Sequence, residues 1–297
     1  MKIIKAQTNV KTDLFDFSYG RDVDKLKHDI KTNGLYQTPY GIEVADEIQI
    51  YEGCTRHSIA GELSIDHDVI VKALSIKEAF LEKINLFDRK YNPIECAIII
   101  EFANEHTISP NLFLKKLGIN KDNVNRYLEL LNLPKNIKLK TAREPAFLKV
   151  TQLLVSFDPE IRADIFNLMI SYKLNVNQSY ECCQVIEELI LKDTSFSIPD
   201  LDGVEFSSSN IAGEFMAYLK TLRFPEYTQV KKELNSCLKT LNSKHLRYSY
   251  PDNFESNNIH ISADIKTIND IDSIKDELNK KNPTITKLLS LIKNGIS

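Results

Sequence analysis

A proline at position 93 divides this 297-residue chain into two kinds of pattern. Proline has no amide hydrogen and suits the first turn of a helix, so a helix is expected to start there and run to about Glu105. Before it, two periods alternate. Asp22 to Thr32 places Val23, Leu26 and Ile30 at helical spacing and ends at Asn33-Gly34, a good stop signal. Ile48-Gln-Ile-Tyr51 alternates like a strand, Gly53 to Leu63 turns helical, Val69 to Leu74 is β-branched, and Ser75 to Phe87 is helical again. After it the pattern is helical. Ser109-Pro110 opens a second helix, Gly118 breaks it, and a third is expected from about Lys121 to Leu131, before Pro134. Further helices are expected near 146–156, 158–171 and 177–192.

Thr194 to Asn210, rich in Ser and Asp, is expected to be a linker. Helices are expected over 211–222 and 226–243, a strand at Ile259 to Ile265, and a final pair of helices over 267–281 and 283–294. The fold class expected is α+β in three parts: an α/β domain (1–92), an all-helical domain (93–195) and a small C-terminal α/β domain (206–297). Val230, Leu234, Leu238 and Leu241 form a stripe that fits either of two roles, intramolecular core, which is the commoner one, or, with the strand at 259–265, a dimerisation surface. Tyr248 and Tyr250 are expected to pack at a turn.

The apolar stretch Cys96–Ala103 is too short to span a bilayer and carries Glu101. Met1 to Gln7 has no apolar stretch of export-signal length, so a cytoplasmic location is expected. The five cysteines, at 54, 96, 182, 183 and 237, lack metal-knuckle spacing and are expected to be reduced. No carboxylate cluster suits a two-metal site, and no catalytic or metal-binding residue is assigned.

Net charge is −3, yet it is unevenly spread. Residues 109–150 hold nine Lys and Arg against three Asp and Glu, a local +6. Phosphate neutralisation depends on local cationic density, so this window is the candidate nucleic-acid surface. It coincides with a helix-turn-helix pattern over 109–131, with Leu114 and Leu117 facing the core, Gly118 at the turn, and Ile119, Val124, Leu128 and Leu131 anchoring the second helix. That leaves Lys121, Asp122, Asn125 and Arg126 outward near its start. Arg and Lys suit guanine, Asn suits adenine, and Asp122 suits a cytosine amine. Lys115 and Lys116 fall nearer the phosphate backbone.

Two stretches resemble the ParB partition-protein family. Leu26 to Pro39, with Gly34-Leu-Tyr-Gln37-Thr-Pro39, is similar to its first box. Asn85 to Ala97, with Asn92-Pro93-Ile94-Glu95-Cys-Ala97, is similar to its third. Between them, Gly53-Cys54-Thr55-Arg56-His57-Ser-Ile-Ala60 stands in place of the family's Gly-Glu-Arg-Arg box, and the resemblance covers about 25–140. It implies a ParB/sulfiredoxin-like first domain that binds CTP with Mg2+, and a homodimer that acts on double-stranded DNA at the nucleoid or a plasmid alongside a partition ATPase. It implies Gly53, Cys54, Thr55, Arg56 and Asn85 at the triphosphate and Gln37 at the pocket rim. Plasmid or chromosome partition, transcriptional regulation and a phage role all agree with it.

The sequence departs from the family at several positions. Cys54 and Thr55 replace a glutamate and an arginine, Ile84 replaces the carboxylate that helps hold magnesium, and Asp88 replaces an arginine. At most a weak CTPase is implied. Gly53-Cys54-Thr55-Arg56 is also similar to the active-site pattern of sulfiredoxin, which uses ATP to repair oxidised cysteine. A thiol at a helix N-terminus beside an arginine favours the thiolate. That is a second reading, of a different class.

Overall fold

The alternating segments of the N-terminal third assemble into a five-stranded mixed sheet in the computed structural model, which describes residues 1–6, 10–86, 90–192, 198, 210–243, 245–250 and 258–295. The strands are β1 (Lys2–Lys5), β2 (Val10–Lys11), β3 (Tyr40–Val44), β4 (Glu47–Glu52) and β5 (Asp68–Lys72), in the spatial order β1-β5-β3-β4-β2. β1–β5 and β3–β4 are antiparallel, whereas β3–β5 and β2–β4 are parallel. β3 joins β4 through Ala45-Asp46, both left-handed, and Val44 pairs with Glu47. A two-residue turn with both φ positive matches the twist of the strands it links. Helices α1 (Asp24–Asn33), α2 (Cys54–Glu62) and α3 (Ile76–Leu86) complete this part.

Pro93 does open a helix, α4 (Pro93–Glu105). Asn92 caps it: its side chain accepts from the amides of Ile94 and Glu95, and Glu95 reaches back to the Asn92 amide. That reciprocal box satisfies the donors a helix start leaves open. The helical stretch continues with α5 (Leu114–Leu117), α6 (Val124–Glu129), α7 (Lys135–Arg143), α8 (Leu148–Ser156), α9 (Pro159–Ser171) and α10 (Val176–Lys192). The chain divides into two compact units, 1–184 and 185–297. Within the first, one core crosses position 93. Phe15, Phe17 and Phe80 pack around Phe102 with ring centroids 5.2–5.3 Å apart, and Phe113 meets Phe80 at 5.3 Å. Side chains from both sides of Pro93 thus share one buried cluster.

The second unit holds α11 (Ile211–Arg223), α12 (Pro225–Leu241), the antiparallel pair β6 (Leu246–Ser249) and β7 (His260–Ala263), and α13 (Ile268–Gly295). One expectation is corrected here. The final pair of helices is one 28-residue helix with Pro283 inside it. Ile274, Leu278, Ile285, Leu288 and Ile292 keep one apolar face across the proline, and packing that face into the core shared with α12 and β6 outweighs a lost hydrogen bond. The stripe on α12 faces that same core: Leu234 and Leu241 are fully buried, with Val230 and Leu238 packed beside them. The stripe thus takes the intramolecular role, whereas β7, the other half of the expected surface, is exposed along its length. Tyr248 is buried on β6, and Tyr250 packs against the same core. The expected linker falls almost wholly outside the described residues.

Candidate anion cleft and basic turn

β4 ends at Glu52, and Gly53 turns the chain into α2 with φ +84°. Only glycine adopts that conformation cheaply. A Cβ at Gly53 would also lie 3.2–3.5 Å from Pro39, so the backbone approach is close. Among the described residues, no side chain caps the start of α2. Free amides at a helix start carry partial positive charge and attract anions. A cleft of about 250 Å3 opens there, lined by Ser18, Arg21, Gly53, Cys54, Thr55, Arg56 and Lys83, with Asp22 and Glu52 among the other lining residues. A second hollow, of about 490 Å3, adjoins it across Glu52, Gly53 and Arg56 and brings in Tyr36, Gln37, Tyr40 and Lys72.

The structure thus gathers Gly53, Cys54, Thr55 and Arg56 at one cleft and Gln37 at its neighbour. Asn85 is exposed near the end of α3 and lines neither. The metal position of the resemblance, Ile84, is fully buried in the core. Phe87, Asp88 and Arg89 of the third box lie outside the described residues. The rim of the cleft is fixed to α4. Glu95, with no solvent exposure, accepts from the Arg21 guanidinium and from the Tyr19 amide at 3.3 Å. Asn92 Nδ2 donates to the Tyr19 carbonyl at 2.9 Å, and Ser18 Oγ sits 3.3 Å from Thr55 Oγ1. The Asn-Pro-Ile-Glu run therefore holds the loop that borders the cleft.

Cys54 does not sit in the solvated setting that the sulfiredoxin reading expects of its thiol. It is 4% exposed, and its Sγ donates to the Ile50 carbonyl at 3.3 Å. Burial pushes its pKa up to about 11, outweighing the lowering effect of Lys83. Arg56 is not among the causes. Desolvation and the field of a helix start act in opposite directions on a thiol, and at Cys54 desolvation is the larger.

Sequence reasoning missed Lys83, Glu52 and Arg21. Lys83 is 6% exposed, with Nζ 2.7 Å from the Tyr51 carbonyl and 3.6 Å from Glu52 Oε2. The signal was present: Ala79, Phe80, Lys83 and Ile84 share one helical face, so a lysine stands on an otherwise apolar side. Lys72 meets Glu82, which also accepts from Tyr51 Oη at 2.7 Å.

The basic segment is built differently. Pro110–Leu112 is a single tight turn leading to α5, Gly118 closes α5 with φ +71°, and Lys121–Asn123 leads into α6. Leu114 and Ile119 are buried, with Leu117, Val124, Tyr127 and Leu128 packed against the same core. The sequence placed Leu131 as an anchor, whereas Leu130 is the fully buried residue and Leu131 is half-buried. A tight turn at Leu130–Asn132 shifts the inward position by one residue. Lys115, Lys116, Lys121, Asp122, Asn125 and Arg126 are all exposed or half-buried at the surface. Among the described residues, no carboxylate pairs with Lys115, Lys116, Lys121 or Arg126. By contrast, Lys140 pairs with Glu144 and Lys149 bonds Asn177.

No family model matches the chain, and no curated protein does. Solved structures similar to it include the C-terminally truncated chromosome-partitioning protein ParB from Caulobacter crescentus complexed to the centromeric parS site. That chain is 14% identical, and the match covers 61% of this chain and 98% of that one with a TM-score of 0.35. Another is the same truncated protein complexed with CTP-gamma-S, 16% identical, covering 56% of this chain and 99% of that one with a TM-score of 0.27.

Proposed function

We propose that this chain binds double-stranded DNA of defined sequence through the start of its α6 region, as a ParB-type protein of plasmid or chromosome partition. In this reading Lys121, Asn125 and Arg126 meet base edges in the major groove, and Lys115 and Lys116 meet phosphates. The observation that carries it is the division of labour over 109–131. The apolar anchors are buried or half-buried, while four cations and Asn125 of the same short segment are exposed, the cations without a carboxylate partner among the described residues, on a chain of net charge −3.

The cleft is read as the phosphate end of a nucleotide site, with Gly53, Thr55 and Arg56 as its contacts and CTP as the ligand that the resemblance implies. The three-part organisation (1–92, 93–195, 206–297), a homodimer and a partner ATPase belong to the same reading. The test is a genome-wide DNA pull-down with and without CTP. Sharp peaks are expected, broadening into flanking DNA if CTP drives spreading. Absence of enrichment even at low salt would overturn DNA binding itself.

A further inference from the structure

We propose that the cleft takes a phosphorylated small molecule with Lys83 as its built-in counter-ion, in place of a divalent metal ion. The proposal rests on the reading of the cleft as a phosphate site, and it says how the phosphate charge is met. An ammonium costs several kcal/mol to bury unless it is paired and bonded. Lys83 is 6% exposed and has three hydrogens to donate. Its one short oxygen partner among the described residues is the Tyr51 carbonyl at 2.7 Å, whereas Glu52 Oε2 is 3.6 Å away and Cys54 Sγ 4.0 Å away. Its other two N–H groups have only these long contacts and the face of the Phe17 ring, 5.6 Å from Nζ to the centroid, and the side chain lines the cleft beside Arg56 and the start of α2. Phosphate oxygens in the cleft would meet two cations and free amides, a set complementary to an anion.

The residues do not fit a magnesium site of the kind the resemblance implies. The carboxylate expected before Asn85 is Ile84, enclosed in the core, and the charge one position earlier is positive. Among the described residues, no cluster of three His, Cys, Asp or Glu is suited to a metal ion. The carboxylates lining the cleft are Asp22 and Glu52, and Glu52 is the one Lys83 partly neutralises. An ammonium supplies a point charge to phosphate without a metal's demand for ligands.

The test is equilibrium dialysis of the full chain with labelled CTP, and with inorganic triphosphate as a base-free probe, in EDTA and in excess Mg2+. Similar affinity in the two conditions is expected. Lys83→Gln is expected to weaken binding in EDTA by about 10-fold or more, the value of a lost bond to a charged group. Glu52→Gln leaves Lys83 in place and removes a competing carboxylate, so it is expected to tighten binding. It keeps the test decisive if Lys83→Gln does not fold. Binding that requires Mg2+, or a Glu52→Gln affinity that is unchanged or weaker, would overturn the role of Lys83 while leaving the cleft as a phosphate site. No binding of either probe in either condition would overturn the cleft reading as well. Outcomes for DNA affinity, measured in parallel, are independent of both.

Discussion

The chain uses cations in two ways, and the contrast separates two kinds of anion recognition. At the cleft, Lys83 is buried and fixed by the Tyr51 carbonyl. On the α5–α6 segment, Lys115, Lys116, Lys121 and Arg126 stand at the surface. A buried, held cation suits one small anion in one geometry, because it is already desolvated and its strength depends little on salt. A field of surface cations suits a polyanion. Its binding is driven by counter-ion release and falls steeply with salt. Yet both regions rest on one aromatic core, so they share a fold while differing in chemistry.

The largest expected effect breaks that shared support. Phe102→Ala removes the ring around which Phe15, Phe17 and Phe80 pack and should destabilise the first unit by about 3–5 kcal/mol in denaturant unfolding. Ligand protection of the cleft and DNA affinity should fall together. Loss of one with retention of the other would show that the halves on either side of Pro93 fold separately. Next in size is a change confined to the basic face. Lys121→Ala and Arg126→Ala should each cost about 1–3 kcal/mol on the preferred DNA and less on random DNA. Lys115→Gln should instead weaken all sequences alike and lower the salt slope by about one. Lys83→Gln should leave that slope unmoved. A slope that changed with Lys83 would erase the distinction between the two cation sets.

The paired glycines sharpen the comparison at smaller cost. Gly118 and Gly53 both hold left-handed φ, and alanine in that region costs about 1–2 kcal/mol. At Gly118 a Cβ would meet open space, so Gly118→Ala should lose that amount and no more in thermal or urea melts. At Gly53 the Cβ would press on Pro39, so Gly53→Ala should lose more and should also perturb the cleft. Equal losses would mean that Pro39 yields freely.

Much of this was legible in the sequence, for identifiable reasons. Pro93 and Gly118 act through local backbone rules, so their roles could be read without tertiary knowledge. The outward set at 115–126 followed from helical period alone. β3 was not legible because its turn, Ala45-Asp46, carries none of the Asn-Gly chemistry that announces a hairpin. β1 and β2 are short strands whose partners lie far along the chain. Proline misled as a stop signal in one place. Pro283 was read as a boundary because propensity is local, whereas the face that carries α13 through it is tertiary. Lys83 and the Glu95–Arg21 pair were missed for the same reason. A charged residue on an apolar face announces a buried interaction but does not name its partner.

The smallest expected effect concerns Cys54, where two influences oppose each other within the cleft. Lys83 Nζ lies 4.0 Å from the sulfur and favours the thiolate. Burial disfavours it more, and the thiol pKa rises to about 11. At neutral pH the thiolate fraction is then far below the roughly few per cent of an ordinary cysteine. In the native protein, alkylation of Cys54 followed by peptide mass spectrometry should be negligible at about pH 7.5 and should rise only toward about pH 10 or on unfolding. Lys83→Gln should push the thiol higher still, because it removes a nearby cation that lowers it. Rapid labelling of native Cys54 near neutral pH would mean that the sulfur reaches solvent, and would return the cysteine-repair reading to consideration. Slow labelling that accelerates in Lys83→Gln would mean instead that the lysine shields the thiol more than it charges it.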